Sequence, residues 1–212
     1  MMERILKVYF IRHGQTTCNV GGVHQGWGPI RLTALGKEQA KRARDKLSGE
    51  IFEKYYCSDL LRTRQTAEIV FPEIYHGGEF IFDENLREID TGAYFGRSPA
   101  ELTSLYGAEY DRRRRIMDLG PYGAESSEHL KSRVRRFMKR LEADAETHRP
   151  EKLAVVTHGG IIRTFALLAS GLPEELIERL PAGTLRLNIG NCTVSIFDYS
   201  KAKGWSIDSI GI

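Results

Sequence analysis

The sequence predicts an α/β fold: a three-layer sandwich with a mostly parallel central sheet flanked by helices. Three observations lead there. Two continuous apolar runs, Val8-Tyr9-Phe10-Ile11 and Leu153-Ala154-Val155-Val156, suit strands buried on both faces. Both runs lead into a histidine followed by glycine, His13-Gly14 and His158-Gly159. Between and after them, short β-prone stretches alternate with segments of helical periodicity, the order expected of strands joined by helical crossovers.

Composition bounds the rest. A chain of 212 residues can bury a full core, so one domain over 1–212 is expected. The formal charge of +3 is too small to suggest nucleic acid or a membrane surface as partner. Three cysteines, Cys18, Cys57 and Cys192, have no C-x-x-C spacing. With no signal peptide in view, they read as reduced thiols of a cytoplasmic protein. No apolar run approaches the ~20 residues of a membrane span.

Taken in order, Val8 to Ile11 is the first strand. Arg12 and His13 follow at its carboxyl end, where open α/β sheets bind ligands. Val20 to Pro29 is a glycine-rich loop. Thr33 caps a helix over Ala34 to Leu47, with Gly49 beyond its end. Lys54 to Cys57 is a short strand, and Ser58 or Asp59 is expected to cap the helix that carries Arg62, Arg64, Ala67 and Val70. Phe80 to Phe82 is a third strand candidate. Residues 97–125 are the least readable, with a helix start at Ser98-Pro99 and the run Arg112 to Arg115 reading as a solvated helix face. A helix from Ser126 or Ser127 to about Thr147 buries Leu130, Val134, Phe137 and Leu141. Lys152 to Thr157 is the second buried strand, and an apolar helix runs on to Ala169. Leu185 to Ile189 and Thr193 to Tyr199 read as a hairpin about Gly190-Asn191, with a last strand from Trp205.

Four blocks carry a family resemblance. Arg12-His13-Gly14-Gln15-Thr16-x-x-Asn19, Ser58-Asp59-Leu60-x-Arg62-Thr63-x-Gln65-Thr66-Ala67, Leu86-Arg87-Glu88-Ile89-Asp90 and Val156-Thr157-His158-Gly159-Gly160-Ile161-Ile162-Arg163 together resemble the histidine phosphatase, or phosphoglycerate mutase-like, superfamily. Gln25-Gly26 and Leu32-Thr33-x-x-Gly36 match a further family segment, although Gly28-Pro29-Ile30-Arg31 departs from its usual acidic-Pro stretch. Pro121-Tyr122-Gly123-Ala124-Glu125-Ser126 resembles its Pro-x-Gly-Glu-Ser with one residue added.

The residue types suit phosphoryl transfer. His13 offers an imidazole nucleophile, available near neutral pH and kept unprotonated by Arg12, Arg62 and a charged His158. Guanidinium forks match phosphate oxygens. Glu88 is expected to protonate the leaving oxygen and then to deprotonate water. The resemblance implies the same roles: Arg12, Arg62 and His158 on phosphate, His13 phosphorylated, Glu88 the acid/base. Asn19, Gln25 and the Gly159 N–H are further candidate phosphate or substrate contacts.

The expected function is thus a metal-independent phosphatase for a small-molecule phosphomonoester, a phosphoric monoester hydrolase acting through phosphohistidine with no cofactor. The alternatives are a cofactor-dependent phosphoglycerate mutase, a protein-directed phosphatase and a non-catalytic phospholigand-binding module. The mutases usually carry a longer segment after the Glu block, which Leu105-Tyr106-Gly107-Ala108-Glu109 only faintly echoes. The other histidines, His24, His76, His129 and His148, lack metal-ligand spacing and read as structural or surface groups. Residues 92–125 are the candidate substrate cover, with Tyr94 and Phe95 placed to stack on a leaving group and Arg112 to Arg115 to meet a second negative charge. A homodimer is an open expectation.

Overall fold

The computed structural model describes residues 4–115, 118–172 and 187–212. Six strands form one mixed sheet in the order β3-β2-β4-β1-β5-β6. They are β1 (Leu6–Arg12), β2 (Lys54–Cys57), β3 (Phe80–Phe82), β4 (Lys152–Thr157), β5 (Val194–Ser200) and β6 (Gly204–Ser209). The first four run parallel to one another, and β5 and β6 extend the sheet beyond β1 with antiparallel pairings. Seven helices accompany them among the described residues: α1 (Thr17–Gly21), α2 (Ala34–Leu47), α3 (Leu61–Val70), α4 (Pro72–His76), α5 (Pro99–Arg115), α6 (Ser127–Thr147) and α7 (Gly159–Ala169).

The three layers follow from period-two alternation in the central strands. Leu6, Val8 and Phe10 of β1 and Leu153 and Val155 of β4 face α6 and α7, meeting Val134, Phe137, Leu141, Ile162 and Phe165. Tyr9 and Ile11, with Ala154 and Val156, face the other way onto Ala40, Ala43 and Leu47 of α2 and Ala67 and Val70 of α3. The spacing of Ala40, Ala43 and Leu47 lays one stripe of α2 against the sheet, and Thr33 caps the helix by accepting from Gly36 N at 3.0 Å. Ser126 caps α6 in the same way.

This arrangement creates the crevice. The chain leaving β1 passes to α2 on one face, whereas the chain leaving β4 enters α7 on the opposite face. β1 and β4 are adjacent and parallel, with Arg12 opposite Thr157. Their carboxyl ends therefore part around a cleft, the switch point at which α/β sheets bind ligands.

Two expectations need correction. The hairpin lies one segment later, between β5 and β6. Leu185 and Arg186 lie outside the described residues, and 187–190 form no strand. Asn191 does not shape a hairpin turn, because its side chain donates to His13 O at 2.9 Å and holds this segment against the end of β1. Second, neither Ser58 nor Asp59 is the N-cap of α3. Leu60 occupies that position without a side-chain cap, because Ser58 bonds His158 and Asp59 pairs with Arg87.

Residues 92–125 carry a small core of their own, in which Tyr94, Leu102, Tyr110 and Leu119 are buried. Gly107 interrupts α5 at φ 70°. The segment is latched to the 22–29 loop by His24 N donating to Arg97 O, Gly96 N to His24 O, and a 2.5 Å hydrogen bond between His24 Nε2 and Tyr110 Oη. No helix of the described residues is long and apolar enough to cross a membrane.

Candidate active site

The register of β1 and β4 brings the two histidines together. His13 N donates to Thr157 O at 2.9 Å, and the His13 and His158 rings lie 5.2 Å apart, centre to centre. Both side chains are fully buried at the floor of the cleft.

The loop after β1 is held by close backbone packing. A Cβ on Gly14 would lie 2.3 Å from Gly36 O, and one on Gly36 would lie 2.1 Å from Gln15 O, so only glycines fit where this loop meets α2. Gly14 N also donates to Thr66 Oγ1 of α3 at 3.1 Å. His13 Nδ1 is 2.8 Å from Gly14 O. A carbonyl can only accept, so Nδ1 carries the proton and Nε2 keeps its lone pair. Burial, then Arg62, then Arg12, hold the His13 pKa well below its ordinary 6.5. The ring is a neutral base among cations.

His158 is likewise held well below 6.5, by burial first and then by Arg62, His13, Arg133 and Arg12. Before any anion binds it is therefore neutral, a correction to the charged partner expected from sequence. Its Nε2 is 2.9 Å from Ser58 Oγ, and its buried Nδ1 has no protein partner.

Arg62 is completely buried on the first turn of α3. It donates to Gly26 O at 2.9 Å and Gly28 O at 3.3 Å, so the glycine-rich loop orients the guanidinium. Burial lowers its pKa to about 10, which leaves it charged at neutral pH. Arg12, half-buried, donates to Ile189 O at 2.6 Å. The Nε of each arginine is buried without a protein partner. Both guanidiniums are close enough to His158 to depress its pKa, and these two Nε atoms and His158 Nδ1 are all buried without a protein partner, a condition that calls for one.

Glu88 approaches from the segment after β3. Its carboxylate accepts from Gly160 N at 3.2 Å and Ile89 N at 3.0 Å, so it rests on the first turn of α7. Gly159 lies beside Arg12: a Cβ there would be 3.4 Å from Arg12 Nε. Thr16 caps α1 and Asn19 completes the capping box, its Oδ1 accepting from Thr16 N at 3.1 Å, which leaves its Nδ2 for any ligand. Gln25 is a step further out, its Oε1 accepting from Thr16 Oγ1 at 2.8 Å.

The structure therefore gathers Arg12, His13, Arg62, Glu88, His158 and Gly159 in one cleft, with Asn19 and Gln25 at its margin. Sequence reasoning missed Ser58, Thr66, Asn191 and Arg133. Ser58 follows the carboxyl end of β2, and β2 neighbours β4, so strand order alone puts it beside His158. Tyr94 belongs to the core of its own segment, not to an open wall of the cleft, and Phe95 packs its ring over Gly28. Arg112 and Arg113 pair with Glu109, Arg113 also with Asp118, and Arg114 lies 3.9 Å from Asp111, which supports the solvated face. Among the described residues, no group of three or more His, Cys, Asp or Glu side chains is arranged to hold a metal ion.

Comparisons with known proteins bear on the family and the fold. The family model described as Histidine phosphatase superfamily (branch 1) matches residues 8–212. A relative from Proteus mirabilis, named "Probable phosphoglycerate mutase GpmB", is 33% identical over 98% of this chain and 93% of its own. A mycobacterial glucosyl-3-phosphoglycerate phosphatase, solved with VO3, superposes with a TM-score of 0.79 at 27% identity, over 97% of this chain and 98% of that one. The Bacillus anthracis phosphoglycerate mutase shares the fold, with a TM-score of 0.73 at 24% identity over 99% and 94% of the two chains. A phosphoric monoester hydrolase, the enzyme class expected from the sequence, is consistent with these neighbours. With four matching blocks, one cleft that unites them and a family match over nearly its whole length, the chain belongs to the histidine phosphatase superfamily, branch 1.

Proposed function

We propose that this protein hydrolyses small-molecule phosphomonoesters through a phosphohistidine at His13, without a metal ion or cofactor. One observation carries the reading: His13 keeps an unprotonated Nε2 beside Arg12 and Arg62, and the Glu88 carboxylate, held on Gly160 N, lies near the same two arginines. In this reading Arg12 and Arg62 hold the phosphate oxygens, and Asn19 Nδ2 and the Gly159 N–H add neutral donors, with Gln25 further out. A bound phosphate dianion offsets the two guanidiniums and lets His158 take a proton and join them.

His13 Nε2 forms a bond to phosphorus as the ester P–O bond breaks, and the Glu88 carboxyl gives its proton to the departing oxygen. The Glu88 carboxylate then takes a proton from water, whose oxygen bonds phosphorus and releases His13. Fixed guanidinium and imidazolium groups, in place of a metal, offset the charge that builds on the transferring group.

A second reading is supported by the name of the Proteus mirabilis relative: a mutase that returns the phosphoryl group to a phosphoglycerate. The sequence of 92–125 favours hydrolysis, because Leu105-Tyr106-Gly107-Ala108-Glu109 only faintly echoes the longer stretch that the family's mutases usually carry. The deciding experiment measures free phosphate release and 3- to 2-phosphoglycerate interconversion, each with and without 2,3-bisphosphoglycerate and after exhaustive chelation. Phosphate release should dominate, survive chelation and yield to vanadate, with an acid-labile label on His13. A faster, bisphosphate-stimulated interconversion would establish the mutase, and loss of activity on chelation would remove the metal-free mechanism.

A further inference from the structure

The segment that carries Glu88 has little regular structure to hold it. After a single 3-10 turn at Glu84–Leu86, residues 87–91 run as irregular loop. Backbone carbonyls withdrawn from water need donors, and those of Asn85, Arg87 and Glu88 share one. Arg133 of α6 is 3% exposed and commits all five of its N–H groups. Nη1 donates to Asn85 O at 2.8 Å and to Arg87 O, and Nη2 donates to Glu88 O at 3.0 Å. Nε and the remaining Nη2 proton go to the two carboxylate oxygens of Glu125, at 2.7 and 2.8 Å.

Glu125 closes the frame from the other side. It is 7% exposed, its Oε2 accepts from Asp90 N at 3.1 Å, and its own N–H donates to Asp90 O at 2.9 Å. The backbone is thus fixed on both sides of Glu88. Trp27 Nε1 adds a second donor to Glu88 O at 2.7 Å. The planar guanidinium suits this task because its donors lie in one rigid fork. A lysine has three donors on a flexible stem and cannot reach five acceptors in a plane.

We propose that Arg133, seated on Glu125, is a positioning residue for proton transfer: it fixes the backbone of 85–88 so that the Glu88 carboxyl meets the leaving oxygen. The proposal rests on the reading of Glu88 as the acid, and its test separates the two.

The probes are a series of substituted phenyl phosphates, from p-nitrophenyl to unsubstituted phenyl phosphate, with kcat/KM measured for each. A leaving phenolate that is already stable needs little protonation, whereas a basic one depends on the acid. Glu88→Gln should therefore lose at least tenfold more on phenyl than on p-nitrophenyl phosphate. Arg133→Lys, which keeps the buried charge, should lose selectively in the same direction by about threefold to tenfold. Its loss should disappear when Glu88→Gln is already present, since it acts through that carboxyl. The neutral pair Arg133→Met with Glu125→Gln avoids an unpaired buried charge and should show the same selectivity.

If Glu88→Gln shows no leaving-group selectivity, the acid assignment fails. If Glu88→Gln is selective but the Arg133 variants depress every substrate equally, or add their full loss to Glu88→Gln, the positioning role is overturned. It is equally overturned if neither Arg133 variant folds into an enzyme active on p-nitrophenyl phosphate, because the pair is then a folding element.

Discussion

Gly160 offers a direct perturbation of Glu88 that leaves the chemistry of both residues intact. It is the second residue of α7, in ordinary helical backbone, and its N–H donates to Glu88 Oε2 at 3.2 Å. A Cβ at this position would lie 2.1 Å from Glu88 Oε1 and 3.1 Å from Glu88 Cδ, where ordinary contact begins at 3.4 Å. In Gly160→Ala the carboxylate must therefore withdraw by about 1 Å. It can do so, because the obstructing atoms are the tip of a flexible side chain and not backbone. A misplacement of about 1 Å at a reacting group is worth ~10²-fold in rate, or about 2.7 kcal/mol in the barrier. Stability should barely change. The helix gains up to ~1 kcal/mol from replacing glycine, against the loss of a hydrogen bond worth about 1 kcal/mol. Thermal unfolding and kcat/KM on an alkyl phosphomonoester should then dissociate, with Tm within a few degrees and the rate down about a hundredfold. Wild-type kcat/KM in a folded Gly160→Ala enzyme would refute the idea that carboxylate placement matters. Loss of the fold would refute the argument that the side chain, not the backbone, gives way.

Two further outcomes follow from the same geometry. His13, His24 and His158 all have folded-state pKa values below the ordinary 6.5, each chiefly through burial; the unfolded chain therefore binds more protons below about pH 6.5, and stability should fall as the pH drops from 7 toward 5. Urea midpoints across that range check this, and a midpoint that rises on acidification would contradict the buried neutral state of these rings. Tyr94→Ala should empty the small core under Tyr110 and Leu119 and cost about 3 kcal/mol, a drop in Tm of roughly 6–12 °C; activity should decline on all substrates together. An unchanged Tm with substrate-selective losses would instead return Tyr94 to the leaving-group pocket.

Elements under local control of propensity and periodicity were legible in the chain alone. β1 and β4 are continuous apolar runs buried on both faces, so their ends, and the histidines that follow, were legible without any partner strand. The same holds for α2, whose cap and stripe are local, and for β2, β3 and α7, whose extents match expectation. The matching blocks were legible for another reason: each is a short contiguous arrangement of charged and small residues that an ordinary surface does not need.

How those blocks meet, and what holds them, depends on long-range packing. Ser58 read as a helix cap because capping is the local role of a serine between strand and helix; its bond to His158 depends on β2 lying beside β4. Gly190-Asn191 read as a hairpin turn because those residues favour turns, whereas Asn191 spends its amide on the backbone of His13. Tyr94 read as a ring free to stack on a leaving group, since burial depends on what packs above a side chain and not on its own type; Phe95, by contrast, does stay exposed. Arg133 gave no signal at all: within a helix of alternating charges it is one arginine among several. Its five acceptors come from Asn85, Arg87, Glu88 and Glu125, which become neighbours only when α6 closes over the segment after β3. Local free energy selects strands and helices, but a charged residue is buried or exposed according to partners that arrive from distant parts of the chain. Those partners are fixed by strand order and packing.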